Sequence, residues 1–215
     1  LPAPFEDDRF EFAYWYAPIE PVGGDYCQAS YVGKRLAIHV SDVTGHGIPA
    51  ALMVGRVSSL VQGLLPRMSR PREMVAALNE FLCSRFAETG MLLSLFALLL
   101  DPVRRRVTYA GAGHPPAILV PPKGRAVRLE SKNPILGAAG FSVMEEGRSV
   151  EPGSLLAIFT DGVYESRNGR KEPFGIDRLV DRLTALRGAR AEDVANSIRG
   201  DIRKYNGERP DDDAL

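Results

Sequence analysis

The sequence predicts an α+β domain. Apolar stretches of strand length follow one another in groups, and stretches with helical periodicity come in pairs. No glycine-rich strand–turn–helix unit of the GxGxxG or P-loop kind interrupts that order. The 215 residues, 45% hydrophobic and 25% charged, match an ordinary globular chain and suffice for a large core without staples. No internal repeat, low-complexity tract or long linker divides them, so residues 1–215 read as a single domain.

Residues 10–16 (FEFAYWY) are short and aromatic, which predicts a strand, broken by Pro18, Pro21 and the pair Gly23-Gly24. Asp25 follows at once, ahead of a further strand candidate. Residues 36–40 (LAIHV) predict a buried strand ending at Ser41-Asp42, with Gly45 and Gly47 in the turn beyond. Over 48–65 the period changes: Ala50, Val54, Val57, Val61 and Leu64 recur at three- and four-residue steps, as on an amphipathic helix. Pro49 sits in its first turn, where no N–H is needed, and Pro66 ends it. A second helix over 71–86 opens on Pro71 and puts Met74, Leu78, Phe81 and Leu82 on one face. Strands then return at 93–100, 106–112, 117–120, 127–129 and 155–159, and two helices close the pattern at 176–186 and 191–205.

Lys and Arg together number 27, as do Asp and Glu, so bulk charge offers nothing to nucleic acid or an anionic membrane. No unbroken apolar run approaches the ~18 residues of a membrane span; residues 91–100 come nearest and read as a buried strand. Cys27 and Cys83 form neither a disulfide framework nor a CxxC zinc site, and as small packed side chains they suit a reducing cytoplasm. The chain opens on Leu1 rather than Met, which leads us to expect a piece of a longer regulatory protein.

Two segments share one design. IHVSDVTGHG and AIFTDGVYE each run from an apolar strand through a small hydroxyl residue to an aspartate, Asp42 or Asp161, and a glycine-containing loop. Asp25 sits behind Gly23-Gly24, and Asp211 to Asp213 precede the last apolar pair. Each of these aspartates taken singly also suits a turn cap. Brought together, the four sites would repel one another unless cations neutralised them, and an all-oxygen set of this kind suits Mg²⁺ or Mn²⁺. Two such ions sharing a carboxylate activate water and neutralise a phosphoryl group, which points to hydrolytic dephosphorylation.

Six ordered segments carry a family resemblance over nearly the whole chain: YAPIEPVGGDY, SDVTGHGIPAALMVGRV, FALLLDPVRRRVTYAGAGHPP, NPILG, LLAIFTDGVYESRN with FG following, and PDDDAL. On these residues the sequence resembles the SpoIIE-like branch of the PPM family, bacterial relatives of protein phosphatase 2C. The resemblance implies an αββα sandwich of two antiparallel sheets flanked by helix pairs, with two Mn²⁺ or Mg²⁺ ions at one edge. It makes Asp25 the carboxylate bridging both ions. Asp42 and the Val43 carbonyl would serve one ion, and Asp161 and Asp211 the other. Asp211 is the first of three successive aspartates, and Asp212 stays a rival. Asp25, Asp42 and Asp161 would be the catalytic set of a phosphoserine/phosphothreonine protein phosphatase that uses activated water and no phosphoenzyme.

The resemblance also implies a phosphorylated STAS-type anti-anti-sigma factor as substrate in bacterial partner switching, a sensor or coiled-coil segment ahead of this domain, and a homodimer as one expected assembly. Such a segment would act by shifting the helices at 48–65 and 71–86, since the first begins beside Asp42. Three departures stand out: Cys27 and Gln28 replace the acidic or aromatic residues often found after the first aspartate, and Ala214 stands where threonine is common. The branch lacks the phosphate-gripping arginine of eukaryotic relatives, and no substitute stands out here. Among remaining candidates, His46 and His114 are read as a general acid or, more simply, as loop histidines bonded to backbone. His39, Trp15 and Tyr16 are read as packing residues, and Arg104 to Arg106 as a solvated hairpin tip.

Overall fold

The computed structural model describes residues 2–17, 23–45, 47–138, 140–207 and 214–215. A small ribbon, β1 (Phe5–Glu6) with β2 (Glu11–Phe12), precedes β3 (Asp25–Val32), β4 (Arg35–Val43) and helix α1 (Gly47–Leu64). A 3-10 turn (Leu65–Arg67) leads to α2 (Pro71–Arg85), and a second (Ala87–Thr89) to β5 (Leu93–Asp101) and β6 (Arg106–Ala112). Next come β7 (Ala117–Val120), β8 (Val127–Leu129), β9 (Glu146–Ser149) and β10 (Leu155–Ala157). The chain then forms α3 (Asp161–Glu165), α4 (Ile176–Ala185) and α5 (Ala191–Asn206). The strands make an antiparallel five-stranded sheet in the order β3-β4-β5-β6-β9 and a three-stranded sheet in the order β10-β7-β8.

Side-chain alternation stacks these sheets. On β4, Ala37 and Val43 join the cluster that contains Ala50, Met53, Val57 and Val61 of α1 and Met74, Val75, Leu78 and Leu82 of α2. Leu36, Ile38 and Val40 point the other way, into a cluster with Phe96, Leu98, Val107, Tyr109 and, from the small sheet, Ala117, Leu119 and Leu129. On β7 the same period sends Ile118 and Val120 to the outer cluster built with Leu179 and Leu183 of α4 and Val194, Ile198 and Ile202 of α5. The order is therefore helix pair, sheet, sheet, helix pair, the αββα sandwich that the sequence resemblance implied.

Several expectations shift in detail. Residues 10–16 are not one strand: only Glu11–Phe12 is paired, while Tyr14 and Tyr16 pack on the inter-sheet cluster and Trp15 on the outer one. The aromatic content reflects burial there, not ladder formation. The strand foreseen over 155–159 stops at Ala157, whose pair with Ile118 is the last along β7. β9 lacks apolar alternation, which hid it from the sequence; its backbone pairs with β6 from Arg106↔Ser149 to Tyr109↔Glu146. The stretch Gly47–Arg67 has a mean hydropathy of 1.4 over a membrane-length window, which a search for unbroken apolar runs misses. Its apolar stripe is used on the sheet, with Val57 and Val61 fully buried.

Candidate metal centre

The β3–β4 hairpin sets Asp25 directly opposite Asp42. Both residues share the parity of Cys27, Ile38 and Val40, so they stand on the inter-sheet face, at the end of the sheet where those strands meet the loops. Like charges directly across a ladder destabilise it, so this pairing needs a compensating reason. Gly24 supplies the space. A Cβ at that position would lie 2.8 Å from the Val43 carbonyl oxygen and 3.0 Å from Asp42 Oδ1, so both oxygens close on a point that only glycine leaves vacant. The Val43 N–H in turn donates to the Gly24 carbonyl at 3.2 Å. The Asp42 carboxylate and a main-chain carbonyl thus converge on the strand pair that carries Asp25, an all-oxygen donor set whose chemistry fits a hard divalent cation.

Asp161 reaches the same edge by another route. After β10 the chain passes through Thr160, 1% exposed, and enters α3 at Asp161. The Thr160 hydroxyl donates to Asp25 Oδ2 at 2.9 Å and accepts the Leu215 N–H at 3.1 Å. The Thr160 N–H donates to the Leu215 carbonyl at 3.1 Å, and Ala214 bridges to Ala17. Burial, and secondarily the charge of Glu165, raises the Asp161 carboxyl above the ordinary aspartate value. A cation beside Asp161 would reverse that penalty.

The structure therefore brings Asp25, Asp42 and the Val43 carbonyl together and ties Asp161 to them through its neighbour Thr160. Among the described residues no three His, Cys, Asp or Glu side chains form one ligand group. Asp211 and its rival Asp212 lie outside the described residues, as does His46. Sequence reading noted a hydroxyl before each strand-end aspartate but gave neither a role. Thr160 proves to hold Asp25, and the closing Ala214-Leu215 pair to be the strand partner of this edge.

The other candidates resolve simply. His114 is buried, and burial pushes its pKa down to about 4; its ring Nδ1 lies 3.0 Å from the Pro115 carbonyl, the backbone-bonded loop histidine of the simpler reading. His39 is fully buried, with its pKa down to about 3 from burial and then from His114, and its Nε2 is 2.9 Å from Ser41 Oγ. Both rings are neutral at physiological pH. Burial pushes the Cys27 thiol up to about 12, so it offers neither a thiolate nucleophile nor a soft metal ligand. Arg104 and Arg105 occupy the exposed β5–β6 turn, as foreseen, whereas Arg106, expected in the same tip, is the first residue of β6.

Comparison with known proteins agrees with this fold. A family model described as Stage II sporulation protein E (SpoIIE) matches residues 32–215. Protein IcfG of Synechocystis sp. is 27% identical over 205 residues, covering 82% of this chain and 32% of IcfG. Phosphoserine phosphatase RsbU of Bacillus subtilis is 25% identical over 180 residues, covering 82% of this chain and 53% of RsbU. The chain thus spans about a third to a half of the length of these relatives. Among solved structures, the SiaA-PP2C domain of Pseudomonas aeruginosa superposes with a TM-score of 0.82 at 21% identity, over 93% of this chain and 81% of that one. RsbX in complex with magnesium gives 0.76 at 17% identity, over 99% and 96%. The catalytic domain of the phosphatase PstP, in complex with two manganese ions, gives 0.66 at 14%, over 94% of each. With its family match over most of its length and its PP2C-like sandwich, the chain belongs to the SpoIIE family of PPM-type phosphatase domains.

Proposed function

We propose that the chain is a metal-dependent protein serine/threonine phosphatase, with Asp25, Asp42 and Asp161 as its catalytic carboxylates and two Mn²⁺ or Mg²⁺ ions as cofactors. The observation that carries this reading is the convergence of Asp42 Oδ1 and the Val43 carbonyl on Gly24, beside an Asp25 paired across the ladder with Asp42. Asp25 would contact both ions, Asp42 and the Val43 carbonyl would hold one, and Asp161 with Asp211 the other. RsbX with magnesium and PstP with two manganese ions support the cofactor choice through a shared fold. Ions of this kind supply a water of lowered pKa and neutralise a phosphoryl group when bound.

The remaining chemistry belongs to the chain. Thr160 fixes the orientation of Asp25 by donating to its Oδ2, and the Leu215 N–H fixes Thr160 in turn. The strand-end placement of Asp25 and Asp42 holds their carboxylates on rigid backbone. No protein nucleophile is needed, in keeping with a Cys27 thiol held protonated by burial.

The relation to phosphoserine phosphatase RsbU supports a phosphoserine substrate; from the sequence resemblance we take that substrate to be a phosphorylated STAS-type anti-anti-sigma factor, within partner switching in a bacterial cytoplasm. A sensor or coiled-coil segment of the longer protein, and a homodimer, complete the proposal. Such a segment would act through α1 and α2, since α1 begins at Gly47, just past Asp42 and Val43 on β4.

The test is phosphate release from a phosphoserine protein with Mn²⁺, with Mg²⁺ and with chelator, run beside Asp161→Asn. Turnover that requires metal and is lost in the variant supports the reading. Folded, metal-saturated protein that binds the phosphoprotein without turnover, in the full-length chain as well as in this domain, refutes it.

A further inference from the structure

The five-stranded sheet has a second end, about 23 Å along β4 from Asp42 at the usual strand rise. A cavity of about 340 Å³ opens there between the sheet and the start of α2. Arg35, Arg70, Arg104 and Arg106 line it, against only Asp101 and Glu145, which leaves two positive charges in excess. The carboxylates are already engaged. Asp101 accepts from the Arg104 guanidinium at 2.9 Å and from the Val103 and Arg104 backbone N–H groups. Glu145 accepts from Arg70 at 2.7 Å and from the Arg72 N–H at 3.1 Å, so the open end of α2 is occupied by the protein's own carboxylate.

Arg35 and Arg106 differ. Among the described residues neither has a carboxylate within ion-pair distance, and the one bond of Arg35 is a long contact to the Ser69 carbonyl at 3.5 Å. Arg106 pairs across the ladder with Asp101 and lies over Gly147, where an added Cβ would collide with its guanidinium. The glycine gives this arginine its berth. Leu99 and Thr108, cross-strand partners, line the cavity between these side chains.

We propose that this cavity binds a small phosphate-bearing anion, seated between the guanidinium groups of Arg35 and Arg106. Guanidinium forks match phosphate oxygens bidentately, and the dianionic charge of a phosphate monoester matches the local excess. The volume is sufficient for a phosphate with a small organic group. The site is separate from the candidate metal centre and needs no metal.

The experiment is titration calorimetry at low salt with chelator present, using inorganic phosphate, pyrophosphate and glycerol phosphate, with succinate as a dicarboxylate control. Saturable one-to-one binding of at least one phosphate compound is expected, weakened about tenfold or more in Arg35→Gln and in Arg106→Gln. It should be unchanged in Arg128→Gln, whose guanidinium pairs with Asp177 elsewhere. Which phosphate compound binds tightest distinguishes free phosphate from an ester. No saturation by about 10 mM, equal loss in Arg128→Gln, or equal binding of succinate overturns the proposal. Should either variant fail to fold, phenylglyoxal labelling of the unaltered protein decides. Pyrophosphate must slow modification at Arg35 and Arg106 but not at Arg128, and uniform labelling overturns the site.

Discussion

Replacing Thr160 by valine keeps the shape of a fully packed side chain and deletes one atom's chemistry. That hydroxyl donates to Asp25 Oδ2 at 2.9 Å and accepts from the Leu215 N–H at 3.1 Å, inside a site where Thr160 is 1% exposed. A hydrogen bond to a charged group contributes about 1.5–3 kcal/mol and a neutral one about 1 kcal/mol, so Thr160→Val should cost about 2.5–4 kcal/mol without metal. In a domain of this size that corresponds to a fall in Tm of roughly 5–15 °C. Because the same bond orients the carboxylate proposed to touch both ions, Mn²⁺ affinity should also fall about 10- to 100-fold. Thr160→Ser restores both bonds and should recover most of each loss. Thermal melts with chelator give the first quantity, and calorimetric Mn²⁺ titration of the folded variant gives the second. A Thr160→Val protein with unaltered melting and unaltered Mn²⁺ affinity would refute the reasoning, since the hydroxyl would then be a bystander.

Other perturbations separate packing from chemistry. Gly24→Ala places a methyl 2.8 Å from a main-chain carbonyl that cannot swing aside, so it should destabilise by about 1–3 kcal/mol and weaken Mn²⁺ binding, measured by urea unfolding and titration. His39 and His114 are held neutral with pKa values of about 3 and about 4, below the unfolded value of 6.5. The unfolded chain therefore binds protons first as pH drops, so the stability from these rings is whole above pH 6.5 and is lost as pH falls toward about 4 for His114 and about 3 for His39. The slope should approach about 1.4 kcal/mol per pH unit for each ring, and His39→Gln should flatten it in a pH series of urea melts. Leu98→Ala, at a fully buried position between the sheets, should cost about 2–5 kcal/mol by urea unfolding. By the same assay Arg104→Ala, which removes an ion pair on an arginine 77% exposed, should cost under about 1 kcal/mol.

The layered fold was legible because period carries it. Three- and four-residue spacing marked α1 and α2 within a residue or two of their ends, and the apolar runs marked β4 to β7. What stayed hidden lacked a side-chain period. β9 reads Glu-Gly-Arg-Ser and is held by backbone pairing to β6, while α3 is too short to show a helical stripe. The Asp25–Asp42 pairing is a matter of register, which depends on where the β3–β4 turn falls, and no local pattern states it. Gly24 was visible as one of two glycines, yet its role comes from a carbonyl and a carboxylate nineteen and eighteen positions away.

The two hydroxyl–aspartate motifs show why likeness in sequence does not fix likeness in role. Ser41 precedes Asp42 within β4, where neighbours face opposite sides. Asp42 therefore points between the sheets, and Ser41 points under α1, where it meets His39, two residues back on its own face. Thr160 precedes Asp161 after β10 has ended, so that alternation no longer separates the two side chains. Its hydroxyl crosses to Asp25 while Asp161 opens a helix beside it. One motif thus presents a carboxylate from a strand and bonds its hydroxyl to His39 on the sheet's other face. The other joins a carboxylate to its neighbour across the sandwich and clamps the end of the chain. A Ser41→Ala change should accordingly loosen the packing beneath α1 with Asp25 left in place, whereas loss of the Thr160 hydroxyl should act on Asp25 itself.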